Sequence, residues 1–277
     1  MKRFNDQALV FTDLDGTLLD HDSYSFNDAM PTINVLKEHN IPIIINSSKT
    51  FEEIIEIRSA LNINDPFIVE NGAAIFFELD YFDVIPEGAI RYQNFYAIEL
   101  SKSLDYWSEI FKGFEANNKI MLERFSNMSA QRVCDLTGLK LKDAEQAKNR
   151  LYSDPIYFDG SQTDLDYLIN YMETIGHSVL IGGRFVHVTN GYNKGLALIK
   201  MLDIYKENKK LDYITLALGD SNNDVAMLEK ADISIIICNK NKAPLTIEKQ
   251  VNTYTSTLFG PAGWNEMLGL IIQDTFI

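Results

Sequence analysis

No apolar run in the sequence is long enough to cross a membrane; stretches such as Ile233–Cys238 are strand-sized. Nor does an apolar segment open the chain: Lys2 and Arg3 are followed by Asp6 and Asp13, so no secretory leader is expected. Cysteine is scarce. Cys134 and Cys238 lie far apart with no CxxC pairing, which fits a reducing compartment and a cytoplasmic protein. Positive charge is also short: 25 Lys and Arg face 39 Asp and Glu, a net charge of −14, which repels a phosphate backbone and argues against nucleic-acid binding. The four histidines show no HExxH or triad spacing. There is no repeat, low-complexity tract or Gly/Ser linker.

What remains is ordinary globular composition, 46 % apolar and 23 % charged over 277 residues, enough for one large domain or two intimate ones. In the first third, buried-strand patterns at Ala8–Thr12, Ile41–Asn46 and Phe67–Glu70 alternate with helical ones at Asp28–His39 and after Thr50. Thr50 and Glu53 form a T-x-x-E capping box ahead of Ile54, Ile55, Ile57 and Leu61. The alternation resumes with a helix at Asn193–Tyr205, a strand at Tyr213–Leu218, a helix at Asp224–Lys230, a strand at Ile233–Cys238 and a closing helix at Pro261–Ile272. Such alternation predicts an α/β fold with a parallel sheet covered on both faces. Residues 87–188 differ in texture, with polar helices (Ser103–Asn117, Lys140–Leu151, Ser161–Ile175) and isolated strands (Pro155–Phe158, Arg184–Val188). They read as an inserted α+β domain between core segments 1–86 and 189–277.

Four clusters carry chemistry. Asp13-Leu14-Asp15-Gly16-Thr17 follows the first strand, and functional groups of open parallel sheets gather at the carboxyl ends of strands. One aspartate can point forward as nucleophile or metal ligand and the other sit beside it as a proton donor, with Gly16 permitting the turn and Thr17 facing an anion. An EF-hand does not fit, because the glycine falls at the fourth position instead of the sixth. Gly219-Asp220-Ser221-Asn222-Asn223-Asp224 follows another strand, and its carboxylates, four apart, suit a Mg²⁺ ion shared with the first cluster. In Asn46-Ser47-Ser48-Lys49-Thr50, Ser47 can donate to a phosphoryl oxygen in front of a helix N-terminus. Lys194-Gly195 opens the helix after the insertion, and Lys194 supplies the cation that several aspartates and a phosphate would need.

These four motifs, in this order, resemble the haloacid dehalogenase superfamily. The resemblance implies a Rossmann-like parallel-sheet core, with the insertion as a type 2 cap. It implies that Asp13 is the nucleophile that forms an aspartyl-phosphate and that Asp15 is the general acid/base. Ser47 and Lys194, with Thr17, would bind phosphate, and Asp13, Asp15, Asp220 and Asp224 would surround Mg²⁺. A narrower likeness to mannosyl-3-phosphoglycerate phosphatases rests on Ser47-Ser48-Lys49-Thr50, Glu70-Asn71-Gly72-Ala73-Ala74-Ile75, Gly183-Arg184-Phe185-Val186-His187 and Gly260-Pro261-Ala262-Gly263-Trp264. It implies a small phosphorylated sugar as substrate, with no nucleic-acid or membrane partner. Glucosyl-3-phosphoglycerate, another sugar phosphate, or phosphotransfer of the phosphomannomutase type are the alternatives. A P-type ATPase would need membrane helices. A binding module without turnover is expected to have lost a carboxylate, and Asp13, Asp15 and Asp220 are all present. A substrate carboxylate calls for a second cationic contact; Arg184 is the expected one, with Lys49 and His187 as further substrate contacts.

Overall fold

The computed structural model describes residues 7–118, 120–182, 184–240 and 245–276. In chain order the elements are β1 (Ala8–Thr12), α1 (Met30–Glu38), β2 (Ile43–Asn46), α2 (Phe51–Leu61), β3 (Phe67–Val69), β4 (Ala74–Glu78), β5 (Ile90–Tyr92) and β6 (Phe95–Glu99). There follow α3 (Leu104–Asn118), β7 (Glu123–Arg124), α4 (Ala130–Thr137), α5 (Leu141–Lys148), β8 (Ile156–Tyr157), α6 (Gln162–Thr174), β9 (Ser178–Gly182) and β10 (Phe185–Thr189). The chain closes with α7 (Lys194–Lys209), β11 (Ile214–Gly219), α8 (Val225–Lys230), β12 (Ile233–Cys238), β13 (Thr253–Phe259) and α9 (Gly260–Phe276). No helix among the described residues is long and apolar enough to cross a membrane.

Two compact units result. The first comprises Met1–Ser47, Ile63–Ile98 and Asn193–Ile277. Its nine-stranded sheet has the order β13-β12-β11-β1-β2-β3-β4-β6-β5 and is parallel from β13 to β3. Every residue of β1 and β2 is buried, as expected for strands whose two faces are both covered. Residues 90–99, which the sequence texture places in the insertion, form the β5–β6 hairpin at the edge of this sheet. The β3–β4 hairpin turns through Glu70, Asn71 and Gly72, all with positive φ. At Gly72 a Cβ would meet the Asn193 carbonyl oxygen at 2.3 Å, so only glycine lets the start of α7 lie against this turn.

The second unit comprises Ser48–Asn62 and Glu99–Tyr192, so α2 groups with the insertion. Its four strands run β7-β8-β10-β9, antiparallel throughout. The two-residue alternation of β10 feeds two cores. Val186 and Val188 join Trp107, Phe111, Phe114, Leu168 and Met172 of α3 and α6, whereas Phe185 packs with Val133, Leu136, Ala144 and Ala147 of α4 and α5. The predicted capping box of α2 is present: Glu53 N–H donates to Thr50 Oγ1 at 3.3 Å and Thr50 N–H to Glu53 Oε2 at 2.9 Å.

Candidate active site

Two strand ends carry the charged residues of the first unit. Asp13 follows β1, its N–H donating to the Leu218 carbonyl at 3.0 Å. The chain then turns tightly, with Thr17 and Leu19 N–H both donating to the Leu14 carbonyl. Gly16, at φ +79°, lies where a Cβ would come within 2.9 Å of Asp220 Oδ2, so the glycine lets the two motifs approach. Gly219 does the same on the other side, since a Cβ there would meet Asp224 Cβ at 2.4 Å.

Lys194, at the first turn of α7, is fully buried and joins the motifs. Its Nζ donates to Asp13 Oδ1 and to Asp224 Oδ1, each at 2.6 Å. Burial alone would lower this ammonium, yet Asp13 and Asp224 outweigh it and hold the group above its ordinary value. Burial pushes the Asp224 carboxyl up, with Asp13 and Asp220 adding to the rise and Lys194 opposing it. Asp224 Oδ2 accepts the N–H groups of Asp220 (3.0 Å) and Ser221 (3.1 Å), which fixes the loop. Asp220 is gripped at both oxygens, by Ser221 Oγ at 2.8 Å and by Asn239 Nδ2 at 2.6 Å.

Carboxylate oxygens of Asp13, Asp220 and Asp224 lie within 4.8 Å of one another. These three acids against one ammonium leave a formal surplus of 3 − 1 = 2 negative charges in a buried site. Hard oxygen donors with two charges to neutralise fit a divalent cation such as Mg²⁺. Asp15 lies on the turn that follows Asp13 and is not one of the three carboxylates grouped in this way. Asp15 is half-buried, and its backbone pairs with Leu19 in an isolated bridge across the Leu14–Leu19 turn.

Thr17 is fully buried, and its hydroxyl has no hydrogen-bond partner among the described residues. Ser47, also buried, is held through its backbone: its N–H donates to Ile68 O and its carbonyl accepts from Asn71 N–H. Asn46 Nδ2 donates to the Lys194 carbonyl at 2.9 Å and ties the second and third motifs together. Sequence reasoning missed Asn46 in this role and Asn239 altogether. A polar residue directly after strand β12 was the available signal for Asn239.

The remaining expected residues belong to the second unit. Lys49 pairs with Glu53 at 3.5 Å. Arg184 is exposed in the β9–β10 turn and donates to the Leu136 carbonyl near the end of α4, a favourable place for a cation. His187 lies on β10, where burial, then Arg150, lower its imidazole to about 4. Gly183 lies outside the described residues.

The family model of haloacid dehalogenase-like hydrolases matches residues 10–256. A glucosyl-3-phosphoglycerate/mannosyl-3-phosphoglycerate phosphatase of Persephonella marina is 36 % identical over 270 residues, covering 96 % of this chain and 97 % of that one. A Methanococcoides burtonii protein of the same name is 31 % identical, covering 94 % and 95 %. In fold, the chain is similar to a Thermotoga maritima protein of known crystal structure, with a TM-score of 0.67 at 14 % identity and 98 % and 100 % coverage.

Proposed function

The chain belongs to the haloacid dehalogenase-like hydrolases, and from that premise we propose that it is a phosphatase that hydrolyses mannosyl-3-phosphoglycerate or its glucosyl counterpart to the glycosylglycerate and phosphate. The geometric support is the convergence of Asp13, Lys194 and Asp224 at 2.6 Å contacts beside Asp220. The substrate reading is taken from the two relatives.

In this reading Asp13 attacks phosphorus and Asp15 protonates the leaving alkoxide. Asp15 then takes a proton from the water that cleaves the aspartyl-phosphate. Lys194 orients Asp13 and offsets phosphoryl charge, while the hydroxyls of Thr17 and Ser47 donate to phosphoryl oxygens. Asp13, Asp220 and Asp224 would hold Mg²⁺, which when bound neutralises charge on the transferring group. In the second unit, Arg184 grips the substrate carboxylate, with Lys49 and His187 as further contacts.

The test is phosphate release from a panel: mannosyl- and glucosyl-3-phosphoglycerate, mannose 6-phosphate, sucrose 6-phosphate and p-nitrophenyl phosphate. The glycosyl-3-phosphoglycerates should exceed the others in kcat/KM by about 10²-fold or more, equivalent to about 2.7 kcal/mol of transition-state binding. Equal turnover across the panel overturns the substrate assignment. Conversion of mannose 1-phosphate to the 6-phosphate without release of phosphate would make the enzyme a mutase.

A further inference from the structure

The Gly260-Pro261-Ala262-Gly263-Trp264 segment at the start of α9 has no part in the mechanism above, yet two chains of contacts run from it, one to the Asp13 backbone and one to the Asp220 carboxylate. Trp264 is fully buried, and its Nε1–H donates to Thr12 Oγ1 at 3.0 Å. Thr12, fully buried at the end of β1, donates its hydroxyl proton to the Asp13 carbonyl at 2.7 Å. A threonine hydroxyl has one proton; the indole N–H occupies an acceptor site, so that proton is aimed at Asp13. Together with the bond from Asp13 N–H to Leu218, this fixes the Asp13 backbone on both sides.

The second chain starts at Gly263. A Cβ there would fall 2.3 Å from the Leu258 carbonyl oxygen and 2.8 Å from Ser256 Oγ, so glycine is what lets α9 close onto the end of β13. Ser256 Oγ donates to that Leu258 carbonyl at 2.7 Å and accepts the Cys238 N–H at 2.9 Å. The residue after Cys238 is Asn239, which donates to Asp220 Oδ2 at 2.6 Å.

We propose that this segment is a positioning brace, acting on Asp13 through Thr12 and on Asp220 through Ser256, Cys238 and Asn239. The proposal rests on the reading of Asp13 as nucleophile. Trp264, Thr12 and Ser256 are positioning residues; they set the aim of groups whose reaction depends steeply on alignment.

The experiment measures aspartyl-phosphate formation in a rapid-quench single turnover, along with kcat, KM and calorimetric Mg²⁺ binding, on the full chain with p-nitrophenyl phosphate. Thr12→Val removes the relay at almost constant volume and should slow phosphorylation of Asp13 by about 10²-fold, with KM changed less than about threefold. Thr12→Ser keeps the hydroxyl and should restore the rate to within about threefold of wild type. Trp264→Phe keeps a ring without the donor and should fall between them; it decides the question if Thr12→Val does not accumulate as folded protein. Asn239→Ala should weaken Mg²⁺ binding by about tenfold. A wild-type rate in Thr12→Val or Trp264→Phe, or equal losses in the Ser and Val variants, overturns the relay to Asp13. Unchanged Mg²⁺ affinity in Asn239→Ala overturns the arm to Asp220. A wild type that forms no aspartyl-phosphate refutes the reading of Asp13 itself, and the relay with it.

Discussion

The two units treat buried charge in opposite ways. In the first, Asp13 and Asp224 hold one ammonium beside Asp220, and the cluster keeps a surplus of negative charge. In the second, buried cations are closed onto acceptors. Arg124 lies 3.5 Å from Glu115 and 3.4 Å from Asp154, with its guanidinium 5.4 Å from the Phe111 ring centroid. Arg150 donates to Ser153 Oγ at 2.9 Å and to the Ser48 carbonyl at 2.9 Å. Buried cations held by the protein's own acceptors are scaffolding, because removing a partner strands the charge; a surplus of buried negative charge is a demand for a ligand.

The strongest way to break this contrast is Asp13→Asn. The amide can neither attack phosphorus nor contribute charge, so kcat should fall by about 10⁴-fold or more. The melting temperature should stay within a few degrees, since one negative charge of a surplus is lost. Activity above a trace would remove Asp13 as nucleophile.

Next comes the metal. Asp220→Ala should raise the Mg²⁺ concentration needed for half-maximal rate by about 10²-fold or more, and EDTA should silence the wild type. High Ca²⁺ should inhibit, because its larger and looser shell spoils in-line alignment. Full activity after dialysis against EDTA would mean that the surplus charge has another purpose.

Arg184 sharpens the comparison from the other side. Unlike Arg124, it has no carboxylate partner among the described residues; its hydrogen bond goes to the Leu136 carbonyl. Arg184→Ala should cut kcat/KM for a glycosyl-3-phosphoglycerate by about 10²-fold and leave p-nitrophenyl phosphate, which has no carboxylate, nearly unchanged. Equal losses on both would assign Arg184 to the fold.

The same contrast explains what could be read in advance. Asp13, Asp220 and Lys194 were legible because each sits in a short local motif at a strand or helix end. The sheet that aligns them comes from uninterrupted apolar runs such as Leu9–Phe11 and Leu216–Leu218. Thr12 and Trp264 were not legible as a pair, since their contact spans 252 positions and depends on how α9 packs. Strand β13 escaped notice because it is a sheet edge: only Ser256 of Thr253–Phe259 is buried, so no apolar alternation marks it. In the second unit, β7 and β8 are two residues each, too short for a periodic signal.

The smallest expected effect concerns His187, the titratable ring of β10. Burial first, and Arg150 second, lower its imidazole to about 4, below the 6.5 of an unburied histidine. Between those values the unfolded chain binds a proton that the folded chain refuses. The neutral ring's contribution is therefore complete above about pH 6.5 and is lost as the pH falls towards 4, amounting to about 2 kcal/mol once the ring's partial exposure is allowed for. Glutamine at this position has no such proton to take up. Denaturant unfolding of wild type and His187→Gln should accordingly give curves that converge by about 2 kcal/mol between pH 7 and pH 4. Carboxylates that titrate in the same window act on both proteins and cancel in the difference. Parallel curves would mean that the imidazole is protonated freely in the folded state, and the second unit would then hold an accessible cation beside Arg150 in place of a neutral, packed ring.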